Sequence, residues 1–199
     1  MDYDKYSVYC DGGVNPHTNT GGTGMVFIRN NDVIHTISNS YVSTDEIKVC
    51  PTNQQMELKA CLDALEGLDT LIKTKQITSP LPMSVVTFTI VSDSAYLVNC
   101  FKNRWFASWF KNGFKNASKN QIENIELWMA IFARNSETRS LYNTNEMQKK
   151  YGHLEFFKEF VDTCNTFVSY KLQFNWVKGH SSDPFNAMAD KLATEGKNK

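Results

Sequence analysis

The alternation and clustering of apolar residues predict five strands. Three of them are short, early runs rich in strand-forming residues: Tyr6–Cys10, Met25–Ile28 and Val33–Ile37. Flexible turn chemistry separates these runs at Asn15–Gly24 and Asn30–Asp32, so we expect an antiparallel meander. Val85–Val91 is almost entirely β-branched or aromatic, which predicts a buried, parallel strand. Lys171–Val177 alternates between apolar and polar residues, which predicts a half-buried strand at an edge.

Apolar residues at intervals of three and four predict the helices. The first should begin at Thr52 and run over residues 52–72, because Thr52-x-x-Gln55 fits a capping box. Its apolar stripe comprises Cys61, Ala64, Leu65, Leu68 and Leu71. Glu57 lies four residues before Cys61 and falls on the same stripe. A carboxylate on a buried face is costly unless a cation meets it, and a metal ion is the simplest candidate.

Two further helices, separated by a loop, are predicted between residue 122 and the last helix. Helices are expected at Ile122–Phe132 and Met147–Cys164, with a polar, loop-like segment at Asn135–Asn145 between them. Asp183, followed by a proline, should cap a last helix that ends at Gly196. The core stripe of that helix comprises Phe185, Met188, Ala189 and Leu192.

Length and composition limit the class of protein. The 199 residues, 41% of them hydrophobic and 21% charged, suit one globular domain over residues 1–199 with an extra helical segment at about 134–168. No apolar run reaches about 18 residues, so no membrane span is expected. The N-terminus does not resemble a signal peptide. The five cysteines form neither a disulfide framework nor a zinc pattern, which favours a cytoplasmic location.

The net charge is zero, but the positive charge is concentrated in one region. Residues 94–122 contain no acid and five cations: Lys102, Arg104, Lys111, Lys115 and Lys119. Aromatic residues, including Trp105 and Trp109, are interleaved with them, which indicates a phosphate-facing surface. Two other readings stay open: the tryptophans could pack in the core, and the lysines could form an ordinary solvated face.

Four acids are candidates for metal binding. Asp11 and Asp93 each follow a predicted strand, and neighbouring parallel strands would bring those two ends side by side. Glu57 lies near the start of a helix, and Asp190 lies on the last helix. Clustered carboxylates favour Mg²⁺ or Mn²⁺ over zinc. Two such ions about 3.5–4 Å apart can clamp the attacking and leaving oxygens of a phosphoryl displacement.

Each acid also has a structural explanation. Asp11 could be a turn residue before two glycines, and Glu57 a first-turn acid favoured by the helix dipole. Asp93 could belong to a plain helix cap, and Asp190 could be a solvated helix acid. His180, in the loop after the last predicted strand, could likewise be an ordinary surface histidine. The metal hypothesis depends on the acids occurring as a set.

Four segments together resemble type 1 ribonuclease H, the nuclease that cuts RNA in RNA–DNA hybrids. They are Asp11-Gly12-Gly13, Thr52-Asn53-Gln54-Gln55-Met56-Glu57-Leu58, Ser92-Asp93-Ser94-Ala95-Tyr96, and Trp176-Val177-Lys178-Gly179-His180 with Asn186 and Asp190-Lys191-Leu192-Ala193. Each is a weak pattern alone, but all four occur in the family's order. The similarity spans about residues 6–133 and 169–195. It implies an α/β, RNase H-like fold, with a five-stranded mixed sheet of three antiparallel and then two parallel strands, flanked by helices.

The resemblance implies a role for each acid at the metal site. Asp11 would bridge two Mg²⁺ ions, for which Mn²⁺ could substitute. Asp190 would help to hold the ion that activates water, while Glu57 and Asp93 would hold the ion on the leaving-group side. His180 would assist proton transfer or product release.

The resemblance also implies contacts with the hybrid. Glu57 and the backbone near Gly12 and Gly13 would touch ribose 2′-hydroxyls, which distinguish RNA from DNA. The remaining substrate-binding residues implied are Asn15, Asn53, Gln54, Asn186 and, in a basic protrusion over Lys102–Lys119, Trp105, Trp109, Lys111 and Lys115. Many relatives carry a glutamine where this chain has Ala95, and residues 134–168 are longer than in compact bacterial members.

The expected activity is therefore endonucleolytic hydrolysis of the RNA strand of a hybrid, leaving 5′-phosphate and 3′-hydroxyl ends. The expected partner is the RNA–DNA hybrid, with no membrane and no obligatory protein partner, and the protein is expected to be a monomer. Three alternatives remain open. They are a non-catalytic hybrid- or duplex-binding domain of the same fold, an interaction module that uses the 143–168 helix, and a nuclease for another duplex.

Overall fold

The computed structural model describes residues 4–42, 51–142, 145–179 and 182–199. The strands are β1 (Tyr6–Asn15), β2 (Thr20–Arg29), β3 (Asp32–Val42), β4 (Thr87–Ser92) and β5 (Lys171–Trp176). The α-helices are α1 (Asn53–Lys73), α2 (Ala95–Lys102), α3 (Trp105–Asn112), α4 (Ile125–Phe132), α5 (Ser136–Tyr142), α6 (Asn145–Tyr151), α7 (Glu155–Thr166) and α8 (Pro184–Lys197). No helix within these ranges is both long and apolar enough to cross a bilayer.

The strands form one mixed sheet in the order β3-β2-β1-β4-β5. β1 pairs antiparallel with β2 and parallel with β4, and β2 pairs antiparallel with β3. The α/β class, the antiparallel meander followed by parallel pairing, and the edge position of β5 are therefore confirmed.

The turn predicted at Asn15–Gly24 is present but shorter: β1 continues to Asn15 and β2 already begins at Thr20, so only residues 16–19 form the turn. The glycines in these strands allow the backbones of two helices to pack closely against the sheet. A Cβ atom at Gly12 would lie 2.1 Å from the backbone oxygen of Met56 at the start of α1. A Cβ atom at Gly22 would lie 2.2 Å from the backbone oxygen of Ala193 in α8. Strand glycines of this kind mark close approach of another backbone.

The start of α1 confirms the predicted capping box. The Thr52 hydroxyl accepts a hydrogen bond from the Gln55 amide at 3.1 Å. The Gln55 side-chain oxygen accepts one from the Thr52 amide at 3.4 Å. The predicted apolar stripe of this helix is buried throughout. These bonds satisfy amide groups that have no partner within the helix, so the start of α1 is well defined.

The chain divides into two compact units. The first comprises residues 1–67, 88–98 and 173–199, and the second comprises residues 68–87 and 99–172. The expectation of a single catalytic domain over residues 1–199 stays a prediction.

In the first unit, α8 packs against the meander. Asp183 caps it as predicted, accepting hydrogen bonds from two backbone amides of its first turn. Ala189 joins a buried cluster with Val26 and Ile28. Two predictions for this helix are wrong: Met188 is exposed, and Gly196 lies inside the helix instead of ending it. Gly196 is buried against the backbone of β3, where a Cβ atom would lie 2.1 Å from the Asn39 oxygen.

In the second unit, the predicted loop and helix boundaries over residues 135–166 are wrong. The polar stretch Asn135–Asn145 contains α5, and the single helix expected over Met147–Cys164 is divided into α6 and α7. α5 contains a buried polar residue, Thr138, whose hydroxyl donates a hydrogen bond to the Asn135 backbone oxygen at 3.0 Å. Gly152, a weak helix former, follows α6 and precedes the extended residue Leu154.

Candidate active site

Asp11 and Asp93 lie at the same end of the parallel pair β1 and β4, where the paired part of each strand stops. The parallel register of β1 with β4 ends where Tyr9 meets Val91. Asp11 is two residues beyond this point, and Asp93 directly follows β4. Asp11 is still within β1, where it pairs across the antiparallel ladder with Gly24. The extended backbone and not a turn therefore positions the Asp11 side chain.

Glu57 reaches this end of the strands because the start of α1 lies close to the backbone of β1. The space left by Gly12 is filled by the backbone of Met56 and Glu57, with the Glu57 nitrogen 2.7 Å from a Cβ position at Gly12. The Ser94 hydroxyl then donates a hydrogen bond to Oε2 of Glu57 at 2.5 Å. Ser94 therefore ties the α1 acid to the segment that carries Asp93.

Asp93 is enclosed by the end of β5 and the loop after it. The Trp176 indole nitrogen donates to the Asp93 backbone oxygen at 3.0 Å, although the Trp176 residue is 56% exposed. A Cβ atom at Gly179 would lie 2.7 Å from Oδ2 of Asp93. Residue 179 must therefore be small if the Asp93 carboxylate is to keep its position.

Asp190 depends on the placement of α8. The cap residue Asp183 accepts hydrogen bonds from the Phe185 and Asn186 amides at 3.0 and 3.1 Å. The Tyr9 hydroxyl of β1 donates to the other Asp183 carboxylate oxygen at 3.3 Å. These contacts fix the start of α8 against β1, and Asp190 lies two turns further along the helix.

The four acids share one electrostatic environment. Burial raises the pKa of Asp11 to about 7, and the charges of Asp93, Asp190 and Glu57 add to the rise, opposed by the Gly12 amide. Burial also raises the pKa of Glu57, with a contribution from Asp93, while the Ser94 hydrogen bond opposes the rise. Like charges disfavour the ionised form, and a nearby cation reverses this effect.

The donor chemistry of this set suits a divalent cation, because its ligands would be carboxylate oxygens whose mutual repulsion a cation relieves. Within the described ranges, however, no group of three or more His, Cys, Asp or Glu side chains could hold a metal ion as positioned. The four acids are thus coupled by charge but do not form a closed coordination shell.

The other predicted residues of the first unit have varied surroundings. His180 lies outside the described residues. The Asn15 side chain accepts a hydrogen bond from the His17 amide at 3.1 Å and donates one to Asn198 at 3.2 Å. Asn53 is exposed and Gln54 half-buried at the start of α1, whereas Gly12 and Gly13 lie within β1.

Asn186 is only 3% exposed. Its side-chain oxygen accepts no hydrogen bond from any residue that the structure describes. Such an oxygen is unusual, since buried polar atoms normally have hydrogen-bond partners.

In the second unit, the two tryptophans of α3 differ. Trp109 is buried, with its ring 5.4 Å from that of Trp128, whereas Trp105 is half-buried with its ring 6.3 Å from Trp109. Lys111 and Lys115 are exposed. Core packing therefore accounts for Trp109, while Trp105 and the two lysines keep accessible surface.

Sequence reasoning did not assign site roles to Ser94, Trp176 and Gly179. All three stand in segments that carried the family resemblance, and that was the available signal. Their contacts involve residues distant in the chain, which local patterns do not report.

Comparisons with known proteins support the resemblance. A family model described as RNase H matches residues 3–198. The Ribonuclease H of Acetivibrio thermocellus is 30% identical over 191 residues, covering 96% of this chain and 93% of that protein. The Ribonuclease H of Chlorobium phaeovibrioides is 28% identical over 189 residues, covering 95% and 92%.

Solved structures show the same fold. LC9-RNase H1, described as a type 1 RNase H with the type 2 active-site motif, aligns with a TM-score of 0.59 at 19% identity, covering 100% of this chain and 74% of that chain. The PFV RNase H domain aligns with a TM-score of 0.59 at 22% identity, covering 100% and 97%. LC11-RNase H1, solved in complex with RNA/DNA hybrid, aligns with a TM-score of 0.51 at 18% identity, covering 98% and 97%. The RNase H-like fold is therefore confirmed.

Proposed function

Because the chain belongs to the ribonuclease H family and is a ribonuclease H enzyme, we propose that it hydrolyses the RNA strand of RNA–DNA hybrids by a two-metal-ion mechanism. The observation that carries the proposal is the shared electrostatic environment of Asp11, Glu57, Asp93 and Asp190. The related fold of LC11-RNase H1, a protein solved with RNA/DNA hybrid, supports this substrate class.

The four acids would hold two Mg²⁺ ions, with Mn²⁺ as a possible substitute. Asp11 is central, because its carboxyl interacts with all three others. We assign Asp190 to one ion and the pair Glu57 and Asp93 to the other, in agreement with the effect of Asp93 on Glu57. When bound, the two ions supply an activated water and stabilisation of the leaving oxygen.

Substrate positioning is assigned to the chain's own groups. Glu57 and the backbone near Gly12 and Gly13 would contact ribose 2′-hydroxyls and so select RNA over DNA. Ser94 keeps the Glu57 carboxylate in place through its hydrogen bond. His180 would receive or return a proton during product release. Attack of water on the phosphorus with departure of the 3′-oxygen leaves 5′-phosphate and 3′-hydroxyl ends.

Further substrate contacts complete the proposal. In the first unit they are Asn15, Asn53, Gln54 and Asn186, and in the second Trp105, Trp109, Lys111 and Lys115. Direct contact by Trp109 would require a ring edge at the surface, since most of this residue is buried. We also propose that the protein is cytoplasmic, monomeric and without an obligatory protein partner. Light scattering of the purified protein would test the monomeric state.

The proposal is tested by cleavage of an end-labelled RNA–DNA hybrid in Mg²⁺ or Mn²⁺, with Asp11→Asn as the variant. We expect 5′-phosphate products from the parent only, and no cleavage of matched DNA–DNA or RNA–RNA duplexes. An inactive parent, or an Asp11→Asn variant as active as the parent, would refute the proposed mechanism.

A further inference from the structure

The segment over residues 134–168 is anchored to α3 by two buried tyrosine hydroxyl groups. Tyr142 donates to the Phe106 backbone oxygen at 2.8 Å, and Tyr151 donates to the Phe110 backbone oxygen at 2.8 Å. Phe110 belongs to the last turn of α3, where carbonyl groups lack a later amide of the helix. The Tyr151 hydroxyl therefore supplies the hydrogen bond that this carbonyl needs.

Aromatic packing reinforces the attachment. The Phe110 ring lies 4.4 Å from that of Tyr142 and 5.7 Å from that of Tyr151. Phe114, just after α3, lies 5.3 Å from Tyr151 and 5.3 Å from Phe156. Aromatic pairs of this kind stabilise the packing beyond the burial of their apolar area. α3 and the 134–168 segment are thus packed together around one aromatic cluster.

Four exposed lysines are next to residues of this cluster in the sequence. Lys111 follows Phe110, Lys115 follows Phe114, and Lys149 and Lys150 precede Tyr151. The Lys150 ammonium lies 5.1 Å from the centre of the Tyr151 ring. Among the described residues, none of the four forms an ion pair, whereas Lys158 of the same segment pairs with Glu155 at 3.4 Å.

We propose that Lys149 and Lys150 bind phosphates of the hybrid backbone together with Lys111 and Lys115, so that the 134–168 segment enlarges the nucleic-acid-binding surface. This inference rests on the proposed function. Its physical basis is that Tyr151, through the Phe110 carbonyl, sets the end of α6 beside the lysine-bearing end of α3. Unpaired ammonium groups suit phosphates because binding releases counterions from the nucleic acid.

The test measures binding of a fluorescein-labelled RNA–DNA hybrid by anisotropy, in EDTA, over a series of salt concentrations. The Lys149→Ala/Lys150→Ala double variant should bind more weakly. The slope of its log affinity against log salt concentration should be smaller in magnitude by about 1–2. Lys158→Ala is the matched control and should keep the parental slope, because Lys158 is already paired with an acid.

Tyr151→Phe keeps the ring but loses the hydroxyl that bonds to Phe110, so it should weaken binding partially without removing a charge. Urea unfolding of each variant separates this effect from a loss of folded protein. A double variant with the parental slope and affinity would overturn the inference alone, provided that the parent binds and cleaves the hybrid. A folded parent that does not bind the hybrid would overturn the proposed function as well.

Discussion

Replacing Gly12 with alanine should separate Glu57 from Asp11. The added Cβ atom would lie 2.1 Å from the Met56 backbone oxygen, 2.3 Å from its carbonyl carbon and 2.7 Å from the Glu57 nitrogen. These are backbone atoms of α1, so no side-chain rotation can relieve the overlap. Gly12 has no positive φ, so the effect of alanine is steric and not conformational.

The size of the effect follows from the overlap. Cβ atoms essentially never lie closer than 3.0 Å to a neighbour, so β1 and the start of α1 must separate by about 1 Å. Overpacking of this kind costs about 1–3 kcal/mol of stability. A misplacement of about 1 Å in an active site can cost about a hundredfold in rate. We therefore expect a variant that still folds but has lost about two orders of magnitude in kcat.

The assay combines initial rates on labelled hybrid in Mg²⁺ with urea unfolding. Gly13→Ala is the matched control, because its nearest neighbour would be the flexible end of Lys197, with Nζ at 3.3 Å. That variant should keep the parental stability. A Gly12→Ala protein with parental rate and stability would refute the claim that this glycine positions Glu57.

Three further predictions concern single contacts of the site. In a chelator at pH 8, Asp11→Asn should be more stable than the parent. Burial raises the pKa of Asp11 in the folded state to about 7, so between about pH 4 and 7 the folded state binds the proton more tightly than the unfolded state does. The stability of the parent therefore falls as the pH rises through this range. Thermal unfolding should show this advantage vanish below about pH 4, and an equal difference at every pH would contradict it. Ser94→Ala should raise the pKa of Glu57 further and move the acid limb of the pH–rate profile upward, whereas Ser94→Thr should not. Trp176→Phe removes the hydrogen bond to the Asp93 backbone and should lower kcat roughly fivefold with little change in KM; a change in KM alone would argue against positioning.

Much of the fold follows from short-range patterns that the sequence displays directly. The capping box at Thr52 and Gln55 forms as predicted, since both partners lie within one helical turn. The antiparallel meander of the first three strands also follows, because apolar runs and turn residues alternate along this part of the chain. The candidate acids could be identified because each stands at the end of a strand or on a helix adjacent to one.

The errors arise where one local signal has two explanations. Gly22 and its neighbours predict a turn, yet they belong to a strand whose missing side chains admit the backbone of α8. Gly196 predicts a helix end, but it lies within α8 against Asn39. In both cases the deciding contact comes from residues far away in the chain.

Which residues carry charge, where helices and strands are expected, and the family-like order of the acids can all be read from the amino-acid sequence. The folded chain is needed to see that burial raises the pKa of Asp11 to about 7, that Ser94 holds Glu57, and that Trp176 reaches Asp93. This division arises because periodicity and capping act over a few residues. Burial, charge coupling and close backbone packing depend instead on which distant segments the fold brings into contact.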